Sequence, residues 1–319
     1  MRVTRDDVAR RAGVSTAVVS YVLNGGPRPV STEKRERVLR VIEELGYQRD
    51  AVAAALSSRH SRILGLLLPD ASNPYFADLA RRVEDAAFAR GYTVLIGNAA
   101  EDRDREARHL DAFFAHRVDG VIACLADVAA PLPAQLRDHP DRFVLVDRVP
   151  PGWSGRAVGV DNRRGGRLAA ERLLARGCQR LAVLAGPRGF AHVDGRVEGF
   201  RSKGATVRVG TAAHFTYVEG RQAMAALLAE GPPDGVFCCT DSLAIGALAA
   251  IAEARLRVPD DIAVVGYDDV AQAAVSVPPL TTVAQPIDEI AEQALTLLLD
   301  PSLPNPPLLA PRLVGRASA

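Results

Sequence analysis

The chain has 319 residues, 48% hydrophobic and 24% charged, an ordinary composition for a soluble globular protein of two or three domains. No apolar run approaches the roughly 18 residues that cross a bilayer. The opening MRVTRDDVARRAG lacks a signal peptide's apolar stretch, so we expect a cytoplasmic protein with no membrane partner. The net charge of +1 hides an asymmetry: residues 1–60 carry eleven Lys and Arg against seven Asp and Glu, the remainder 28 against 31. A basic head on a slightly acidic body points to an anionic partner for the head, plausibly nucleic acid. Cys124, Cys178, Cys238 and Cys239 sit in apolar or helical contexts without metal-ligand spacing, so we expect reduced thiols, no metal and no cofactor.

In the head, Thr4 can cap a first helix whose opening turn holds Asp6 and Asp7. Val8, Ala9 and Ala12 give that helix one apolar face, and Gly13 ends it. Ser15 can cap a second helix, in which Val19, Val22 and Leu23 fall at i, i+3, i+4 and face inward. Thr16, Ala17, Ser20, Tyr21 and Asn24 form the opposite stripe, with Val18 at the margin. After the turn GGPRPVS, Ser31 can cap a third helix that buries Val38, Val41, Ile42 and Leu45. Helix, glycine turn, helix is the helix-turn-helix pattern, whose second helix enters the DNA major groove. The same periodicity suits a small bundle that merely packs on the body. The hinge, residues 48–60, overlaps the alanine-rich stretch DAVAAALSSRHSR (residues 50–62), with Leu56 a lone large apolar side chain: a linker helix, or a wedge for the minor groove.

Beyond residue 61, the apolar runs RILGLLLP, TVLIGN, DGVIACL, RFVLVD, RLAVLAG, GVFCCT and IAVVGYDD alternate with amphipathic helices. Repeated βα units imply doubly wound parallel sheets, too many here for one, so two α/β lobes are expected. Ligands in such sheets bind beyond the strands' carboxyl ends. That rule selects Asp70 with the following SNPYF, Asp147, the loop after AVLAG, Thr240-Asp241 and Asp268-Asp269. Aromatics and carboxylates converging with Arg196 suit a small polyhydroxylated ligand. Gly165-Gly166 reads as letting a helix start close to a strand. Cys238 and Cys239, adjacent on a strand, point to opposite faces and cannot share an ion.

Asp7-Val8-Ala9, Ala12-Gly13-Val14-Ser15 and Val19-Ser20-Tyr21-Val22-Leu23-Asn24, followed by RVLRVIEELGYQRDAVAAAL, resemble the head and hinge of lac repressor family (LacI/GalR) regulators, and the resemblance extends over the whole chain. It implies a small all-α helix-turn-helix head on an α/β core of two doubly wound parallel-sheet lobes, like periplasmic sugar-binding proteins. The expected divisions are 1–47 for the head, 48–60 for the hinge helix, and 61–319 for the effector-binding and dimerisation core. Within that core the N-lobe covers about 61–160 plus a C-terminal segment, and the C-lobe about 161–285. Implied DNA contacts are Thr4, Ser15, Thr16, Ala17, Ser20, Tyr21, Asn24 and Ser31, with Leu56 as the minor-groove wedge. Implied effector contacts are Tyr75, Phe76, Asp147, Phe190, His192, Arg196, Phe215, Thr240, Asp241, Asp268 and Gln285, with Phe190 and His192 in a loop before GRVEGF. Asp241 could equally cap the following helix. The family commonly has Thr-Val-Ser-Arg where this chain has Val18-Val19-Ser20-Tyr21, Asn at Asp50 and Asn at Thr240. The segment RSKGATVRVGTAAH is about a helical turn short of the family norm.

No G-x-S-x-G elbow, Walker loop, H-E-x-x-H or G-x-G-x-x-G occurs, so no catalytic set is expected. The expected protein is a homodimeric, ligand-responsive repressor that reads a pseudo-palindromic double-stranded operator and binds a sugar between its lobes. A nucleoside or purine effector is the alternative within that class. A transport-type solute-binding protein and a sugar- or nucleoside-processing enzyme are the rivals outside it. The C-terminal PNPPLLAPRLVGRASA has no heptads, which favours a dimer over a coiled-coil tetramer.

Overall fold

Capping chemistry sets the ends of the first helices in the computed structural model, which describes residues 3–24, 29–47, 60–127, 131–150, 152–187, 189–203 and 207–319. The Leu56 wedge and nearly all of the 48–60 hinge lie outside these residues, as does the side chain of Asn24. Contacts divide the chain into two units, residues 1–61 and 62–319.

In the first unit, α1 (Arg5–Ala12), α2 (Thr16–Asn24) and α3 (Thr32–Leu45) pack around Val8, Ala9, Ala12, Val19, Val22, Val38 and Val41. Leu23, Ile42 and Leu45 cover that core, as the period-3.6 pattern requires. Thr4 and Asp7 form a capping box: Asp7 N donates to Thr4 Oγ1 at 3.3 Å and Thr4 N to Asp7 Oδ2 at 3.0 Å. Gly13 (φ +64°) and Gly46 (φ +59°) close α1 and α3 in the left-handed conformation that glycine adopts without a Cβ penalty. Ser15 Oγ accepts from Val18 N at 3.4 Å. Ser31 occupies the N-cap position of α3, but its side chain stays exposed and makes no cap bond, contrary to the sequence expectation.

The second unit holds two sheets. In the N-lobe, β1 (Ile63–Leu68), β2 (Thr93–Asn98), β3 (Gly120–Ala123), β4 (Phe143–Val146) and β5 (Arg156–Val158) form a parallel sheet in the order β2-β1-β3-β4-β5. Around it lie α4 (Pro74–Ala89), α5 (Arg103–Ala115) and the short α6 (Ala134–Asp138). The C-lobe strands are β6 (Leu181–Ala185), β7 (Val207–Thr211), β8 (Gly235–Cys238), β9 (Ala263–Asp268), β10 (Thr281–Ala284) and β11 (Arg312–Val314). They order β11-β10-β9-β8-β6-β7, parallel except for β11. Their helices are α7 (Asn162–Ala175), α8 (Ala191–Arg201), α9 (Tyr217–Ala229), α10 (Asp241–Glu253) and α11 (Ala271–Val275).

The chain crosses between lobes three times: after β5, after β10 and before β11. Between the last two, α12 (Ile287–Leu299) returns to the N-lobe, where Arg82 pairs with Asp288 and Arg90 with Glu292 across α4 and α12. The first and third crossings are bonded to each other: Leu309 N donates to Gly159 O and Asp161 N to Leu309 O, both at 2.9 Å. Gly165 and Gly166 serve two approaches: a Cβ at Gly165 would strike the Tyr267 ring of strand β9, as expected, while Gly166 faces the neighbouring helix. A Cβ at Gly166 would strike the carbonyl of Arg196 on α8, and one at Gly199 would strike the carbonyl of Arg163 on α7. The two backbones therefore touch, and α7 and α8 pack as one piece.

Candidate effector site and DNA-reading helix

The cleft forms where strand ends of both lobes meet. Asp147 follows β4 and Asp268 closes β9, and both take left-handed backbone (φ 58° and 113°), a conformation that non-glycine residues hold only where surroundings fix it. Between them lies the guanidinium of Arg196, from the middle of α8. Its Nη2 is 4.0 Å from Asp147 Oδ1 and its Nη1 3.9 Å from Asp268 Oδ1. Nε donates to Asn162 Oδ1 at 2.8 Å, Nη1 donates to Cys239 O at 2.7 Å, and the plane stacks 3.6 Å over the ring of Tyr267. Tyr267 OH donates to the same Asn162 oxygen at 3.1 Å. Arg196 is thus fixed from behind while Nη2 keeps donors for the cleft. Burial pulls its pKa down, but Tyr267, Asp268 and Asp147 outweigh this and hold it above the ordinary value.

Burial pushes the Asp268 carboxyl up to about 7, against Arg196 and the amide of Gln285, whose Nε2 donates to Asp268 Oδ1 at 2.8 Å. Burial also raises Asp147. Burial, then Arg196 and Arg148, drive His192 well below its usual value, so it faces the cleft as a neutral ring. The cleft is lined by Asn73, Tyr75, Phe76, Asp147, Arg148, His192, Arg196, Phe215, Thr240, Asp268 and Gln285. Gly186 leaves the room that the Phe215 ring fills. Free volume in the cleft is about 20 Å³, space for about one water, so a sugar-sized ligand enters only as the lobes part.

Nine of the eleven expected effector contacts therefore lie together. Asp241 does not: its Oδ2 accepts from Val270 N at 2.9 Å and its Oδ1 from Thr282 Oγ1 at 2.6 Å, inside the C-lobe. Gly266 makes space for that carboxylate. Nor does Asp241 cap α10; Thr240 does, accepting from Leu243 N at 3.3 Å. Phe190 stands one layer back, 4.7 Å from the Arg148 guanidinium and edge-on to His192 and Phe215. His192 lies within α8 rather than in a loop, and Phe190 is the residue before that helix. Asp70 accepts from Ser72 in a local turn, and Asp269 pairs with Arg316 at 2.6 Å.

Sequence reasoning missed Arg148, and picked out Asn73 only as part of SNPYF and not as a contact. Arg148 is 2% exposed and forks onto Glu101, with both Nη–Oε contacts at 2.8 Å. Its Nη1 also donates to Ala126 O at 3.0 Å, and buried Glu106 holds the same residue by accepting from Ala126 N at 2.7 Å. Asn73 caps α4, accepting from Tyr75 N at 3.1 Å. Adjacency to Asp147 and to Pro74 was the available signal for each.

On the head, Thr16 and Ala17 are exposed and Ser20 and Tyr21 half-buried, on the face of α2 away from Val19 and Val22. Thr4 is spent on its own helix, its hydroxyl donating to Asp7 Oδ2 at 2.6 Å.

A helix-turn-helix unit joined to a two-lobed core with a polar, buried inter-lobe cleft defines a DNA-binding regulator that takes a small ligand. Residues 4–50 match the model for bacterial regulatory proteins of the lacI family, and residues 170–319 match a periplasmic binding protein-like domain. The ribose operon repressor of Halalkalibacterium halodurans is 39% identical over 300 residues, 92% of this chain and 88% of its own length. A lac repressor dimer bound to operator and the anti-inducer ONPF superposes with TM-score 0.87 at 28% identity, covering 100% of this chain and 99% of that one. A LacI family regulator from Enterococcus faecium with bound ribose gives TM-score 0.72 at 29% identity, covering 80% and 98%. The chain belongs to the lacI family of bacterial transcription regulators.

Proposed function

We propose that this protein is a homodimeric, cytoplasmic, non-enzymatic repressor whose operator affinity is changed by a pentose, of the ribose type, bound between its lobes. The observation that carries the reading is Arg196, stacked on Tyr267 and set between two buried carboxylates. Vicinal hydroxyls donate to Asp147 and Asp268 while accepting from Arg196 Nη2, and Phe76 and Phe215 cover the apolar ring faces. A relative named for a ribose operon and a ribose-bound structural neighbour support the same chemistry. On the DNA side, Thr16, Ala17, Ser20 and Tyr21 of α2 meet base edges, with Ser15 and Ser31 toward the backbone. Coupling is linkage: effector favours one setting of the lobes and operator another, a difference of typically about 1–3 kcal/mol.

The test starts from duplexes selected out of a random pool by the full-length protein. We expect a pseudo-palindromic consensus, binding that weakens steeply with salt, and a change in affinity on adding D-ribose. A consensus without two-fold symmetry, or affinity indifferent to every pentose, sinks the reading.

A further inference from the structure

The second helix of the head, α2, has an unusual chemistry for a helix that reads DNA. Its sequence, TAVVSYVLN, contains no arginine, lysine, histidine or glutamine, and its one amide, Asn24, stands at the C-terminal end. Within the described residues of the head, the lysines and arginines stand on α1 and α3, where they suit phosphates. Three apolar side chains of α2 turn away from the core that holds the three helices together. Ala17 is exposed, Val18 and Tyr21 are half-buried, and none of them packs on that core. Ala17 and Tyr21 are i,i+4 neighbours, and Val18 and Tyr21 are i,i+3 neighbours. Methyl, isopropyl and ring therefore form one apolar facet, next to exposed Thr16.

The major groove offers such a facet one counterpart. Guanine is read by arginine or lysine and adenine by asparagine or glutamine, whereas thymine alone presents a methyl group. Over a guanine or cytosine edge the facet would strip water from polar groups without replacing their hydrogen bonds. The hydroxyls of Thr16, Ser20 and Tyr21 can donate or accept, so they discriminate little between bases. We infer that α2 reads its half-site through thymine methyl groups, with Ala17 and Tyr21 as the side chains that set the sequence. The inference rests on α2 being the helix that meets base edges, and it specifies what is recognised there.

The full-length protein and the duplex it selects provide the test. Each thymine is replaced in turn by uracil, which lacks only the methyl, and each guanine by 7-deazaguanine, which lacks the N7 acceptor. Fluorescence anisotropy should find thymines in each half-site at which uracil weakens binding about fourfold, the worth of one buried methyl, with losses below about twofold at guanines between them. Tyr21→Phe should keep every uracil effect. Tyr21→Arg should erase the effect at one thymine per half-site and, on reselection, place a guanine there. Uracil tolerated at every thymine, a half-site without thymine, or a uracil pattern unchanged in Tyr21→Arg overturns the inference while leaving the regulator reading intact. If no two-fold symmetric consensus is selected, both fall.

Discussion

Each lobe brings one buried arginine to the cleft, and the two are held in different ways. In the N-lobe, both terminal nitrogens of Arg148 are engaged, although its Nε is buried without a partner: the fork closes on Glu101, a carbonyl of the loop after β3 takes another donor, and Phe76, Phe190 and Phe215 surround its plane. In the C-lobe, Arg196 is braced on one side by Asn162, Cys239 O and Tyr267, and meets its two carboxylates only at about 4 Å. The same side chain thus does two jobs. A guanidinium whose two terminal nitrogens are both engaged is a platform that orients neighbours; one whose Nη2 meets only a carboxylate about 4 Å away in a dry site reads hydroxyls. The difference lies in the partners behind each arginine, not in its burial, which is nearly equal.

The largest effect expected from this contrast is at Arg196. Arg196→Ala leaves Asp147 and Asp268 facing each other unpaired and should cost about 2–5 kcal/mol of effector binding, with operator affinity in the absence of effector little changed. Titration calorimetry checks the first and fluorescence anisotropy on labelled operator the second; a response that survives moves the site elsewhere.

A smaller effect is expected with pH. The Asp268 carboxyl, raised to about 7 chiefly by burial, gains its charge between pH 6 and 8, and the charged form accepts hydroxyl bonds. Effector affinity should rise up to about tenfold over that range, and Asp268→Asn should flatten the profile. The sign for folding is opposite. The unfolded carboxyl has lost its proton by about pH 5 while the folded one keeps it, so this group's contribution to stability falls as pH rises from about 4 to 7. A melting-temperature series in Asp268→Asn against the parent isolates that contribution.

The smallest effect is on the Arg148 side. Glu101→Gln removes one charge from a half-exposed partner while the carbonyl still holds Arg148, so effector affinity should drop only about two- to fivefold. A loss as large as that of Arg196→Ala would erase the distinction between platform and reader.

Much of this arrangement was legible in the sequence. The head announced itself through capping residues, glycine stops and one apolar stripe per helix, all local signals. The strands read as apolar runs are buried on both faces, except the edge strand β2, which is largely half-buried or exposed. What escaped included β5, β7, β10 and β11, with three to five residues each, α8, whose start was expected to be a loop, and α12, whose lobe is set by contacts distant in sequence. Arg148 escaped for a sharper reason. Alternation along a strand sends neighbours to opposite faces, so adjacency to Asp147 alone does not bring Arg148 to the same side. The left-handed turn at Asp147 breaks that alternation and returns Arg148 to the cleft. Asp241 was misjudged the other way. A strand-end carboxylate looked available, but Thr282 and Val270, whose proximity no local pattern reveals, consume it.

The bonded pair of crossings has a mechanical consequence. Two short segments joined side by side through Gly159, Asp161 and Leu309 behave as a leaf spring: they flex about one axis and resist shear along the others. A motion that parts the lobes is thereby reduced to nearly a single angle, and a ligand small enough to touch only a few atoms at the mouth of that angle has the leverage to set the whole of it.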